Sequence, residues 1–334
     1  MADFRLNVYV ANTPYHLMLS ILSGCLNGDS IIYLLDKSGQ LGWYSGGVGP
    51  FFNGNFRYLD ISGKGAWSRL LDNNPLSISL GFSSFNDVFS ELAGKEVDAI
   101  FVFNDSIPEV QTIAYNLSCG RVVYIEDGSA PYNSHKIINK KSIFFKKLFF
   151  GPVFEQVEVL GTSRLVSESK FSYPDLVRAE NRIKPYSGLE TVASVRCQLK
   201  AYAELFGGFL ESKAERVVLY LLPPYEDKDL KKKYMEIRAR CADPNVAHLV
   251  KAHPLSSPSF FELEGVKLLP SFIPTEVIPF LVNVEHLYGY ATTSLMSVKY
   301  LFDSIPVTCV LTTGASRDLF FERNIDSIGV SILN

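Results

Sequence analysis

Short runs of β-branched and aromatic residues recur along this chain, and the intervals between them carry helical periodicity. The runs are Leu6 to Val10, Ser30 to Leu35, Ala99 to Phe103 and Arg121 to Ile125, each ending near turn-forming or polar residues. Such alternation restricts the fold to α/β with parallel strands, because a parallel strand can return only through a crossover. In the first interval Thr13 stands where a helix cap is needed and Pro14 at a first helical position, so a helix is expected over Tyr15 to Leu26.

A second cycle runs through Arg216 to Leu222, Ala247 to Ala252, Gly265 to Leu269 and His286 to Tyr290, which reads as a second parallel sheet. A chain of 334 residues suits two domains of roughly 150 residues each. Between the cycles, Ser169 to Lys213 is charged, mostly helical in pattern and broken at Pro174 and Pro185, so it reads as a connection. The boundary is expected near Tyr202 to Gly208, giving domains of residues 1–205 and 206–334. Two Rossmann-like halves facing a central cleft constitute the GT-B architecture. Ligands of open parallel sheets bind beyond the carboxyl ends of the strands, so polar residues that follow strands are the functional candidates.

Hydrophobic residues make up 47% of the chain and charged residues 20%, enough apolar material for two packed cores. A formal net charge of -3 provides no basic field for nucleic acid, which is excluded as a partner. The five cysteines, Cys25, Cys119, Cys197, Cys241 and Cys309, are widely spaced and form no CxxC, which disfavours a disulfide framework or a zinc site. A reducing cytoplasm is the expected location. The N-terminus has no pattern of a secretory leader and no stretch is long and apolar enough to span a bilayer, so any membrane contact is expected to be peripheral. The segment Lys136 to Phe150 interleaves Lys136, Lys140, Lys141, Lys146 and Lys147 with Ile143, Phe144, Phe145, Leu148, Phe149 and Phe150. It reads either as a membrane-surface or anionic-glycan patch, or as a packed helix with solvated lysines.

Arg121 to Ile125 ends in Glu126-Asp127-Gly128-Ser129, two carboxylates and a glycine that permits a sharp turn. A carboxylate at a strand mouth can take the proton of an attacking hydroxyl; it can equally serve a turn or a cap. Ala247 to Ala252 ends in His253-Pro254, where the proline keeps the histidine extended. Its imidazole can bond a phosphate oxygen and stabilise a leaving group, or be simply structural. In Ile273-Pro274-Thr275-Glu276 a carboxylate opens a helix, suited to ribose hydroxyls or to the helix dipole. Gly289 to Ser297 is a hydroxyl-rich turn before a helix expected over Val298 to Phe302, where Thr293 and Ser294 can cradle phosphate or cap the helix. Asn104 and Asp105 follow Ala99 to Phe103 and either touch a sugar or cap a turn.

Taken in order, Glu126-Asp127-Gly128, His253-Pro254, Ile273-Pro274-Thr275-Glu276 and Thr293-Ser294 resemble the motifs of the bacterial GT-B sialyltransferases and polysialyltransferases. Asn12-Thr13-Pro14-Tyr15-His16-Leu17 is similar to that family's opening loop. The departure is Thr-Ser in place of a Ser-Ser pair, which keeps the hydroxyls. The resemblance implies an inverting, metal-independent transfer of sialic acid from CMP-sialic acid to a glycan hydroxyl, on an acceptor of lipooligosaccharide or capsule type. It implies that Glu126 or Asp127 is the base, with Glu126 favoured, and that His253 stabilises the departing CMP. Glu276 would hold the ribose and Thr293 with Ser294 the phosphate, beside donor contacts from Gly128, Pro254, Asn12 and Thr13. Tyr15, His16, Asn104 and Asp105 would face the acceptor. No DxD motif stands out, and neither metal nor cofactor is expected. The rival readings are transfer of another CMP-activated nonulosonic acid or Kdo, a nucleotide-sugar epimerase, and a non-catalytic glycan-binding protein.

Overall fold

The computed structural model describes residues 6–26, 28–63, 77–78, 83, 85–117, 119–132, 147, 153–190, 192–210, 215–223, 227–241, 243–253, 266–290, 292–312, 324 and 327–333. The chain divides into two units, Met1–Thr191 and Val192–Asn334.

In the first unit the elements run β1 (Leu6–Ala11), α1 (Pro14–Leu22), β2 (Ser30–Asp36), α2 (Tyr44–Gly47), β3 (Phe56–Asp60), α3 (Asn86–Leu92), β4 (Val97–Val102), α4 (Pro108–Asn116), β5 (Val122–Ile125), β6 (Glu168–Phe171) and β7 (Tyr186–Gly188). They form a seven-stranded sheet in the order β3-β2-β1-β4-β5-β6-β7, with every pair parallel. Strands β2 and β5 are buried throughout, as their unbroken apolar runs predict for strands covered on both faces. The order in which strands are added across the sheet reverses between β1 and β4, the switch point at which loops part and leave a crevice.

Helix α1 begins as the sequence predicts, with Thr13 Oγ1 accepting the His16 amide at 3.2 Å and Pro14 in the first turn. It ends at Leu22, short of the expected Leu26. Gly24 takes a left-handed φ of 83°, and the Gly24 and Cys25 amides donate to Ile21 O at 3.0 Å and Ser20 O at 3.1 Å, closing the helix with a Schellman pair. The segment read as a connection supplies β6 and β7 instead. These strands are short, β6 buries only alternate residues and β7 is exposed, so neither carries the apolar run that marked the central strands.

The second unit runs α5 (Val192–Glu204), β8 (Arg216–Leu221), α6 (Lys228–Arg240), β9 (Val246–Lys251), β10 (Lys267–Leu269), α7 (Ile278–Leu281), β11 (Val284–Gly289), α8 (Thr293–Leu301), β12 (Val307–Val310) and β13 (Ser331–Leu333). Its six-stranded sheet, ordered β10-β9-β8-β11-β12-β13, is again all parallel and switches direction between β8 and β11. Helix α5, assigned by sequence to residues 1–205, belongs here: it buries Val195, Leu199, Tyr202 and Ala203 and packs on α7 and the Thr275–Val277 turn. Helix α8 starts at Thr293 rather than Val298, which puts Thr293, Ser294 and Ser297 in its first two turns. Among the described residues no helix is long and apolar enough to cross a membrane.

Gly289 lets α8 approach the end of β8. A Cβ there would lie 2.8 Å from Leu295 Cδ2 and 3.2 Å from Leu221 Cβ. Gly289→Ala is expected to cost about 1–3 kcal/mol by overpacking, measured by urea denaturation followed by circular dichroism.

Candidate active site

In the first unit, the loops after β1, β4 and β5 bring together one polar cluster. His16 is 1% exposed, and its ring stacks on Phe103 with centroids 4.6 Å apart. The Asn12 amide donates to His16 Nδ1 at 3.1 Å, so Nδ1 is an acceptor and Nε2 carries the proton given to Asp127 Oδ1 at 3.0 Å. Asn104 Nδ2 donates to Asp127 Oδ2 at 2.8 Å, while its Oδ1 accepts the Ser106 amide and hydroxyl at 3.2 and 2.7 Å. Both Asp127 oxygens are therefore held, yet the side chain remains 29% exposed. Burial pushes the Asp127 carboxyl up, but His16 and Asn104 outweigh it and hold the group below its ordinary value. Gly128 follows at a φ of 62°, a conformation that favours glycine.

Glu126, its neighbour, is 2% exposed. Its Oε2 accepts from the Tyr132 hydroxyl and from the Ser172 amide at 2.7 Å. Its Oε1 accepts from the Ser172 hydroxyl at 2.5 Å and the Tyr15 hydroxyl at 3.5 Å. Burial outweighs these donors and raises the carboxyl above its ordinary value.

A second cluster lies at the strand ends of the second unit. Glu276 is 2% exposed in the turn before α7, and its Oε1 accepts the Ser297 hydroxyl at 2.5 Å. Burial raises its carboxyl, opposed by Ser297, Ser294 and the charge of Lys251. Lys251, the last residue of β9, is 5% exposed and donates to Ala252 O at 2.8 Å and Ser271 O at 2.9 Å. His253 follows β9 after one residue; burial and the Lys251 charge lower its imidazole below its ordinary value. Thr292 is the cap residue of α8, with Thr293 and Ser294 in the first turn.

The sequence-derived residues separate accordingly. Glu126, Asp127, Asn104, Tyr15, His16 and Asn12 meet in the first unit, and Glu276 and Ser294 meet in the second. Thr13 is spent on capping α1. Asp105 is 3% exposed, and its two oxygens accept the Gly161 and Ser163 amides at 2.9 Å each, which is the turn-capping alternative. His16 is 1% exposed, with its ring bonded to Asp127. Pro254 lies outside the described residues, as does Lys136 to Phe150 apart from Lys147. Sequence reasoning missed Tyr132, Ser172 and Lys251. Lys251 could have been noticed as a lone cation closing an apolar strand. Among the described residues, both polar atoms of the Asn12 side chain and the Thr292 hydroxyl are buried without a hydrogen-bond partner. Such atoms call for a ligand or water.

Two parallel-sheet Rossmann-like units define a GT-B enzyme fold, and similarity to solved structures agrees. The S. aureus MnaA-UDP co-structure matches with a TM-score of 0.55 at 10% identity, over 99% of this chain and 84% of that one. A UDP-N-acetylglucosamine 2-epimerase matches with 0.51 at 13% identity, covering 99% and 83%. Phytolacca americana UGT2 complexed with UDP-2fluoro-glucose and pterostilbene matches with 0.51 at 10% identity, covering 99% and 86%. No curated protein matches the sequence at a significant level. The family model of alpha-2,8-polysialyltransferase (POLYST) matches residues 72–311, and the chain belongs to that family. It is a glycosyltransferase of sialyltransferase type, taking a nucleotide-sugar donor and a glycan acceptor.

The contrast between Asp105 and Asp127 is testable by thermal and urea denaturation. Asp105→Ala strands two buried amides and is expected to cost about 2–5 kcal/mol, whereas Asp127→Asn, which loses one of two acceptors at a partly exposed position, is expected to cost only about 1–2 kcal/mol.

Proposed function

We propose that this enzyme transfers sialic acid from CMP-sialic acid to a hydroxyl of a capsule- or lipooligosaccharide-type glycan, with inversion and without a metal ion. The observation that carries this reading is the partly exposed Asp127, held by His16 and Asn104 at the switch point of the first sheet in a chain of the polysialyltransferase family. Accessibility supports Asp127 rather than Glu126 as the base. Glu126 already accepts from Tyr132, Ser172 and Tyr15, which makes it the support of the loop.

The acceptor hydroxyl attacks the anomeric carbon, Asp127 takes its proton, and the bond from that carbon to the phosphate oxygen breaks with its electron pair leaving on CMP. Attack opposite the leaving group inverts the centre. In the second unit, the amides at the start of α8 and the hydroxyls of Thr292, Thr293 and Ser294 receive the phosphate, Ser294 turning its hydroxyl from Glu276 to do so. Neutral His253 donates a hydrogen bond to the phosphate as charge builds on it. Glu276 accepts the ribose hydroxyls, released from Ser297 or sharing it. Asn12, with both amide atoms unsatisfied, takes the sugar of the donor.

The deciding assay follows CMP release from CMP-N-acetylneuraminic acid with EDTA present, with and without lactose-terminated and sialylated acceptors, and weighs the products. Acceptor-dependent release with the matching mass gain is expected. Release that needs added metal, or appearance of a donor epimer without acceptor, overturns the reading. In the same assay Asp127→Asn is expected to lower kcat/KM by about 10²–10⁴-fold with the fold retained. Glu126→Gln is expected to lower stability first, by about 1–3 kcal/mol. An inactive, fully stable Glu126→Gln beside an active Asp127→Asn would return the base role to Glu126.

A further inference from the structure

Lys251 has no part in the roles above, and its position is costly. An ammonium at 5% exposure loses most of its hydration, a penalty that hydrogen bonds to carbonyls only partly offset. Two of its three N–H groups are used, on Ala252 O and Ser271 O. Among the described residues the third has no acceptor. Those two bonds tie the loop carrying His253 to the loop leading into Glu276. Two neutral side chains could brace these loops equally well; the charge itself needs a reason.

The groups around it supply one. Strand β9 pairs with β8 and β10, which place Leu221 and Leu269 opposite Lys251, so neither neighbouring strand adds a charge there. From the Thr275–Val277 turn, Glu276 acts on Lys251 electrostatically, and from its own loop His253 feels its charge. From α8 the hydroxyls of Ser294 and Ser297 both reach Glu276. The ammonium thus stands at the strand ends beside the carboxylate, imidazole and helix start assigned to the nucleotide.

We propose that Lys251 is the fixed cation of the nucleotide site, with its free N–H directed to the donor phosphate and to the negative charge that phosphate gains when the sugar leaves. This rests on the nucleotide reading above. A buried ammonium acts there without desolvation at the moment of reaction, the task that a bound metal performs in other phosphate-releasing enzymes.

The assignment has a pH signature. Burial pushes the Lys251 ammonium down to about 8, against the upward pull of Glu276. A bound phosphate favours the charged form, so nucleotide affinity is full below about pH 8 and falls as pH rises beyond it. His253 cannot cause that limb, because its imidazole is lowered from 6.5 and is already neutral there. Glu276 is raised from 4.5 by burial, with the Lys251 charge pulling the other way.

The experiment is calorimetric binding of CMP to the full chain between about pH 6.5 and 9.5, for wild type, Lys251→Met and Lys251→Arg, with circular dichroism as the folding control. Wild type is expected to weaken about tenfold across the upper half of that range. Lys251→Met is expected to bind about tenfold more weakly near pH 7 and to show no alkaline limb. Lys251→Arg, always charged, is expected to retain binding and also to lose the limb. If Lys251→Met fails to fold, Lys251→Arg decides alone. An alkaline limb that persists in Lys251→Arg, or wild-type affinity in folded Lys251→Met, overturns the assignment. Wild-type protein that ignores CMP but binds UMP or UDP overturns the donor reading only, and the same variants then test Lys251 with that nucleotide. Binding of none of them overturns both.

Discussion

Glu126 and Glu276 each lie at 2% exposure just beyond the body of a parallel sheet, where an ionised carboxylate is strongly disfavoured unless donors converge on it. The donors come from other segments of the chain. Ser172 follows β6 and Tyr132 lies in the loop after β5, so Glu126 ties two neighbouring strand ends together. Ser297 and Ser294 belong to α8, so Glu276 ties that helix to the turn before α7. Removing either carboxylate would leave several hydroxyls facing each other in a dry interior. Each buried acid therefore rigidifies the loop on which the exposed functional groups are carried, and that rigidity sets their placement to within hydrogen-bond tolerance.

Adjacent carboxylates with opposite shifts are what a division of labour requires. Glu126 is pushed up by burial while Asp127 is held down by His16 and Asn104. The raised group would be the stronger base in isolation, but a base must reach its proton, and only Asp127 keeps an exposed face. A modest basicity is enough when the acceptor hydroxyl acidifies as it bonds to a cation-like carbon. His16 contributes through Asp127 alone: its backbone bond from Asn12 fixes the tautomer, and its stacking on Phe103 fixes the ring plane. The loop after β1 thereby sets both the orientation of Asp127 and the position of the Asn12 side-chain amide.

The alternation of apolar runs and helical intervals carried the fold, because central parallel strands covered on both faces leave an unmistakable composition. Strands β3, β6, β7, β12 and β13 were not legible: they are short, and several show exposed residues or alternation too brief to register. The domain boundary moved ahead of α5 because what assigns that helix is its contact with α7 and the Thr275–Val277 turn, and sequence carries no signal for a helix's partner. For the site, position after a strand was enough to nominate Asn104, Glu126, Asp127 and His253, and position at a helix start to nominate Glu276. It could not say which would be buried. Asp105 and Asp127 look alike in sequence, yet one ends on the Gly161 and Ser163 amides and the other on His16 and Asn104. Ser172 and Tyr132 were invisible because their role exists only where β5 and β6 lie side by side.

The two units share one design and use it differently. In each, an orphaned polar group sits beside the switch point, Asn12 after β1 and Thr292 after β11. In the second unit the orphaned hydroxyl belongs to Thr292, the cap residue of a nine-residue helix, a place suited to an oxyanion. In the first, the orphan is the neutral side-chain amide of Asn12, whose backbone N–H holds the His16 that bonds Asp127, a setting suited to the hydroxyls and amides of a sugar. On the reading proposed above, the second unit could stay constant while sugar and acceptor change, and selectivity for them would reside in the loops after β1, β4 and β5.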